Sequence, residues 1–251
     1  MHAHIPCAVH SDYVHGSWRA EQGTVPGMLA SVTELERLIG GLGVDASTRV
    51  VVAPLGEHAK SMASAARLYW TFKLLGHDQV SILNGATRGY AADESRAMAT
   101  GAMNPVAKTF RAQPREGMLA TSADVAEAAA AGALLVDYRR GDEYLGINRN
   151  PKTRRSGTLQ GARNLPMEWL TADNGATLRS PASLRQLLGL ADIDANATQI
   201  AFCNTGHNSS LGWFVFNELL GNPGVRLYDG SMAEWSRQQD RPVERQVVIA
   251  R

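Results

Sequence analysis

Apolar positions recur at helical spacing over residues 31–42, with Leu35, Leu38 and Ile39 on one stripe, Ser31 or Thr33 as cap and Gly40-Gly41 as stop. The β-branched run Val50-Val51-Val52 predicts a buried strand, followed by a loop containing Gly56. Residues 62–75 have the length and spacing of a second helix closed by Gly76, and Val80-Ser81-Ile82-Leu83 reads as a short strand ending at Asn84-Gly85. The second half repeats this order. A helix over residues 183–188 precedes the strand Gln199-Ile200-Ala201-Phe202 and a loop. A helix over 210–220 stopping at Gly221, the strand Val225-Arg226-Leu227-Tyr228 and the turn Asp229-Gly230 then follow.

Leu74-Leu75-Gly76 and Leu219-Leu220-Gly221 stand 145 residues apart, as do Asn84-Gly85 and Asp229-Gly230. Two anchors at one offset predict a duplication. Strands alternating with helices predict an α/β fold of two similar domains, each a mainly parallel sheet flanked by helices. Residues 104–117, with Pro105, Pro114 and several basic residues but no sustained periodicity, read as a linker between a first domain, 1–103, and a second, 118–251. The second domain opens with a helix over 121–131, capped by Thr or Ser and stopped by Gly132, and the strand Ala133-Leu134-Leu135-Val136. Asp137-Tyr138-Arg139 follow at its carboxyl end, the edge where open α/β sheets bind ligands. The first half lacks this opening helix and strand: His4-Ile5-Pro6-Cys7-Ala8 matches Thr158-Leu159-Gln160-Gly161-Ala162. Either the strand was lost or the natural start lies upstream.

Composition narrows the choices. At 251 residues, 44% hydrophobic and 20% charged, the chain exceeds one average domain. A net charge of +1 gives no broad field for nucleic acid or anionic lipid, so neither partner is expected and any anion preference must come from a local site. Two cysteines, Cys7 and Cys203, are too few for a disulfide framework and lack zinc-ligand spacing, which fits a reducing, cytoplasmic compartment. A missing upstream segment would open the periplasm instead. No uninterrupted apolar stretch is long enough to span a bilayer. His2, His4, His10 and His15 lack acidic or cysteine partners at ligand spacing and read as a polar, frayed terminus rather than a metal site. Trp169, Trp213 and Trp235 are expected to be packing residues of the core or a cleft. No glycine-rich phosphate loop or dinucleotide fingerprint occurs, so no cofactor is expected.

The candidate chemistry sits at Cys203. It ends a buried strand and is followed by Asn204-Thr205-Gly206-His207-Asn208-Ser209, all small or polar, before an apolar helix. A short loop of this kind can turn its amides onto the sulfur, and the positive end of the helix dipole adds to them, favouring the nucleophilic thiolate. Gly206 permits the backbone angles this needs, and His207 can add partial positive charge. No separate general base is required. The competing reading is a structural cysteine buried at a strand end.

The segment Ile200-Ala201-Phe202-Cys203-Asn204-Thr205-Gly206-His207 resembles the active-site loop of rhodanese-like sulfurtransferases, especially bacterial tandem-domain thiosulfate sulfurtransferases. Leu135-Val136-Asp137-Tyr138-Arg139 with Tyr144-Leu145-Gly146 is similar to the family's opening strand, and Leu159-Gln160-Gly161-Ala162-Arg163-Asn164 to its Gly-His-Ile-x-Gly-Ala-x-Asn stretch. His4-Ile5-Pro6-Cys7-Ala8 is the same motif in the first half, with Cys7 where glycine is usual, and Asp229-Gly230 with Trp235 resembles the Gly-Gly-x-x-x-Trp segment. The resemblance implies two rhodanese-like domains, the first without its opening strand. It implies that Cys203 attacks the outer sulfur of a small anionic donor such as thiosulfate, that sulfite leaves, and that the persulfide passes to cyanide or a thiol acceptor. By the same resemblance, Asn204, Thr205, Gly206, His207, Asn208 and Ser209 enclose the donor and Arg139 binds its anionic end. The alternative for Arg139 is a surface ion pair with Asp142 or Glu143. The first domain, with Ala53-Pro54-Leu55-Gly56-Glu57-His58 in place of the Cys loop, is implied to be catalytically silent and to shape the cleft between domains.

The chain also departs from the family pattern. Asn208 stands where many members carry Arg or Thr, and the stretch Arg149, Lys152, Arg154, Arg155 is either replacement charge or a solvated loop. A Cys-based phosphatase would need Arg six residues after the cysteine, where Ser209 stands. A non-catalytic sulfur carrier or binding module is the remaining alternative.

Overall fold

The computed structural model describes residues 3–247; of the sequence features above, His2 falls outside that range. Two compact units emerge: one comprises Leu29–Arg115, Thr171–Leu178 and the segment ending at Ala20, and the other Glu21–Met28, Glu116–Leu170 and the chain from Arg179 onward.

In the first unit, α1 (Val32–Gly41) begins at Ser31, whose hydroxyl accepts the Glu34 N–H while the Glu34 carboxylate accepts the Ser31 N–H. This reciprocal cap resolves the Ser31 or Thr33 alternative. A short hairpin, β1 (Arg19–Gln22) and β2 (Val25–Leu29), precedes it in the chain, falls mostly within the second unit, and has no counterpart among the sequence expectations. β3 (Val50–Val52) pairs in parallel with β4 (Val80–Ile82), and α2 (Ala59–Leu74) connects them. α2 starts three residues before the expected position because His58 caps it, its Nδ1 accepting from the Ser61 N–H at 3.2 Å. α3 (Ala86–Ala91) follows β4. The hairpin β8 (Thr171–Ala172) with β9 (Thr177–Leu178) belongs to this unit. His4 is tied down rather than frayed: it exchanges two backbone bonds with Ala99, and its Nε2 lies 2.9 Å from the Gly101 carbonyl.

The second unit is built on a five-stranded parallel sheet. Its order is β5 (Leu119–Ala120), β11 (Val225–Tyr228), β10 (Gln199–Phe202), β6 (Leu134–Asp137) and β7 (Arg163–Asn164). The central strand β10 is buried along its whole length, as expected where helices cover both faces. Ile200 and Phe202 project into a core with Leu135, Leu159, Tyr228, Met232 and Trp235. Ala201, between them, faces the other side. α4 (Ser122–Ala130) has a reciprocal Thr121/Asp124 cap, α5 (Gly141–Tyr144) follows β6, and α6 (Pro181–Leu190) precedes β10. α7 (His207–Phe214) follows β10 and runs into a π turn over Val215–Leu219, and α8 (Ser231–Trp235) follows β11.

The expected helix over 210–220 thus begins at His207, directly after Gly206, whose φ of 71° is left-handed. Its polar opening residues form a first turn rather than a loop. Trp213 and Trp235 are buried as expected, whereas Trp169 is 41% exposed and is not a core residue. The two halves also correspond unevenly. β10 lies between β11 and β6, while β3 has β4 and, among the described residues, no strand on its other side. Among the described residues the first half therefore shows no counterpart of β6.

Candidate active site

Three segments meet at the carboxyl edge of the sheet: Tyr138-Arg139 after β6, Cys203-Asn204-Thr205-Gly206 after β10, and Asp229-Gly230 after β11. The parallel register sets Phe202 opposite Asp137, so the cysteine leaves its strand beside the point where Tyr138 leaves the neighbouring one. The Tyr138 N–H donates to the Phe202 carbonyl at 3.0 Å, carrying the pairing to the last residue before the cysteine.

Cys203 is 1% exposed, while Asn204, His207 and Asn208 remain partly exposed. The amides of Cys203 and Gly206 converge on the hydroxyl oxygen of Ser231, at 3.1 and 3.0 Å. Ser231 Oγ in turn donates to the Tyr228 carbonyl at 2.7 Å. The loop carbonyls are held from the same side: the Met232 N–H donates to Cys203 O and the Ala233 N–H to Asn204 O, at 3.0 and 2.9 Å. The first turn of α8 thus satisfies two amides and two carbonyls of the loop. Ser231 itself sits at φ 50°, a left-handed angle that a non-glycine residue adopts only where its surroundings hold it.

Sequence reasoning missed Ser231. A signal was present in the duplication, since residue 86 stands 145 positions earlier. Ala86 shares the left-handed angle, at φ 59°, and Thr87 N–H and Arg88 N–H donate to Pro54 O and Leu55 O as Met232 and Ala233 do to Cys203 and Asn204. The first half repeats the backbone cradle with alanine in place of the serine and proline in place of the cysteine.

The remaining site residues fall into two groups. Ser209, in the first turn of α7, is fully buried and its Oγ donates to Cys203 Sγ at 3.5 Å. Asn204 Nδ2 donates to both carboxylate oxygens of Glu143 at 3.1 Å, a partner on α5 that the sequence suggested only for Arg139. Thr205 is buried, and Asn208 and His207 open α7.

Arg139 is 2% exposed, so it is neither a surface arginine nor paired with Asp142, which instead engages Arg140. Its Nε and Nη2 bind the buried carboxylate of Asp137 at 2.5 to 3.0 Å, and Nη2 also donates to the Gly157 carbonyl; none of these bonds uses Nη1. Thr158 Oγ1 donates to the same carboxylate at 2.7 Å, and Asn164 Nδ2 donates to the carbonyls of Asp137 and Arg139. Burial pulls the guanidinium pKa down, but the Asp137 carboxylate, followed by Glu143 and Cys203, outweighs it and leaves the group above its ordinary value. A permanent cation therefore stands within Coulombic reach of the sulfur.

Of the basic stretch, the side chains of Arg149 and Arg155 are knitted into the backbone, while Lys152 and Arg154 are exposed. Arg155 donates to the carbonyls of Ser236, Trp235 and Gln238, Arg149 to that of Thr153, and the Arg154 N–H to Ser236 Oγ at 2.8 Å. It fixes the end of α8. Among the described residues, no group of three or more His, Cys, Asp or Glu side chains could hold a metal ion, and no helix is long and apolar enough to cross a membrane.

The fold and the sequence match known proteins. The rhodanese-like domain profile matches residues 121–238. The chain belongs to the rhodanese-like sulfurtransferases. It is 31% identical over 248 residues to a protein of Saccharopolyspora erythraea described as "Putative thiosulfate sulfurtransferase", covering 96% of this chain and 84% of the relative. It superimposes on the crystal structure of Tum1 protein from Saccharomyces cerevisiae with a TM-score of 0.82 at 21% identity, covering 97% of this chain and 84% of that one. The anaerobic ergothioneine biosynthesis enzyme from Chlorobium limicola gives a TM-score of 0.83 at 23% identity, over 98% of this chain and 61% of that chain. At these identities the two structures share the fold.

Proposed function

We propose that the chain transfers a sulfane sulfur from thiosulfate, or a related small anion, to cyanide or a thiol through a persulfide on Cys203. The observation that carries this reading is the position of Cys203. It leaves the central strand between Arg139 and the first turn of α7, in a loop held by Ser231 and touched by a buried hydroxyl. In the first half-reaction the Cys203 thiolate attacks the outer sulfur of thiosulfate, the sulfur–sulfur bond of the donor breaks, and sulfite departs with its electron pair. In the second, cyanide or a thiolate attacks the outer sulfur of the persulfide and Cys203 leaves as thiolate, restoring the enzyme. Electrons balance without an external oxidant.

Asn204, Thr205, Gly206, His207, Asn208 and Ser209 form the wall of this site, and Arg139 acts as its cation. With Nε and Nη2 committed to Asp137 and Gly157, Arg139 has Nη1 left for a donor oxygen and otherwise works through its field. The first half is silent in this scheme. Pro54 and Ala86 replace both the nucleophile and the hydroxyl that gathers its loop.

A steady-state assay with thiosulfate and cyanide, run on wild type and Cys203→Ser, tests the proposal. Turnover abolished by the substitution, with a gain of one sulfur localised to Cys203 by mass spectrometry, supports it; equal background in both proteins sinks it. A persulfide that forms without turnover identifies a sulfur carrier instead.

A further inference from the structure

Ser209, the side chain that touches the nucleophile, is buried in an unusual way for a hydroxyl. It is fully enclosed, yet among the described residues the hydrogen bond of its hydroxyl is to one partner, Cys203 Sγ at 3.5 Å. Burying a hydroxyl is unfavourable unless its hydrogen bond is made, and a neutral thiol sulfur is a weak acceptor. A thiolate is a strong one, because hydrogen bonds to an ionised partner are roughly twice as strong as neutral ones. Alanine would fill the same space in the helix with better propensity and no polar group to satisfy. A serine here is therefore matched to one charge state of its neighbour.

We infer that Ser209 is a catalytic residue whose hydroxyl stabilises the Cys203 thiolate, both as attacking group and as the group expelled from the persulfide. The inference deepens the sulfur-transfer reading and rests on it for the second role alone. When the acceptor attacks the outer sulfur, the bond to Cys203 Sγ breaks and the electron pair returns to Sγ. The Ser209 proton stays on its own oxygen and strengthens its bond to the charge as it appears. A less basic thiolate leaves faster but attacks more slowly. The hydroxyl thus favours discharge of the persulfide at some expense in intrinsic nucleophilicity.

The titratable and charged groups on the elements around the sulfur include Arg139 and Asp137 at the end of β6, Glu143 on α5 through Asn204, His207 at the start of α7 and Asp229 after β11. All of them are kept in the test. Cys203 alkylation by iodoacetamide is followed against pH, with peptides resolved by mass spectrometry so that exposed Cys7 is counted separately. In Ser209→Ala the midpoint of the rate profile moves up by about one pH unit, a roughly tenfold loss of reactive thiolate below it. Above the midpoint the alanine variant reacts at least as fast as wild type, a crossover that a loosened loop would not produce. Ser209→Thr, which keeps the hydroxyl, holds the midpoint near wild type. Superimposable profiles for wild type and Ser209→Ala overturn the inference, as do equal shifts in the alanine and threonine variants. Because alkylation needs no sulfur donor, the role of Ser209 is decided even in a protein inert to thiosulfate. Single-turnover discharge of a preformed persulfide to cyanide, slower in Ser209→Ala than in wild type, tests the leaving-group role; equal discharge rates overturn it.

Discussion

The main-chain N–H of Cys203 donates to Ser231 Oγ at 3.1 Å, joining two segments 28 residues apart in sequence. The same oxygen accepts the Gly206 N–H, and its hydroxyl donates a hydrogen bond to the Tyr228 carbonyl, so one hydroxyl sets the spacing between β10, its loop and α8. Ser231→Ala strands these buried amides. The expected destabilisation is about 1–3 kcal/mol, the range for a buried group left unsatisfied. A lower urea midpoint at unchanged slope reports it. Faster amide exchange at Cys203 and Gly206 would locate the effect.

Asp137 and Arg139 form a fully buried ion pair, with Thr158 and Gly157 taking up further hydrogen-bonding capacity. Removing either partner leaves an uncompensated charge in the interior, for which about 3–5 kcal/mol is typical. Urea melts of Asp137→Ala, Arg139→Ala and the double variant should therefore show two large single losses. Their combined loss should be well short of additive, since the second substitution removes the charge stranded by the first. Additive losses would show that the pair is not coupled as the geometry requires.

Gly212 lies inside α7, where alanine would ordinarily be the better helix former. A Cβ there would meet the ring of Tyr138 at 2.1 Å, and Tyr138 is itself fully buried. Overpacking of this kind typically destabilises by about 1–3 kcal/mol, outweighing the gain in propensity. Thermal melting of Gly212→Ala is expected to fall below wild type; a rise would mean that the ring moves aside without penalty.

The regular elements were legible because burial writes a period into the chain. Ile200–Phe202 is an apolar run of strand length, and Leu35 with Ile39 marks one face of a helix; Val50–Val52 does form a strand, but not the buried one expected, since Val51 is 61% exposed. The candidate nucleophile, Cys203, was legible for the same reason, as the residue where a buried strand stops. The start of α7 was not, because Gly206, His207, Asn208 and Ser209 have a loop's composition and only the left-handed Gly206 shows that the helix begins immediately. Nor were the partners of the site legible. Ser231, Glu143 and Asp137 meet the loop or its cation through contacts between distant segments, and no local pattern encodes them. Arg139 was recognisable as a charge at the right edge, but its commitment to Asp137 depends on the register of two strands and the path of residues 157–158.

The paired cradles constrain how a second reactive centre is installed. Introducing a thiol at Pro54 alone would give a sulfur with Ala86 opposite, whose methyl group accepts nothing from the peptide N–H groups. Retracing the divergence of the halves would take a hydroxyl at residue 86 as well, and a loop refitted around it. On the proposed reading the first half differs from the second on two segments at once, at residues 54 and 86, so that no single substitution restores both groups.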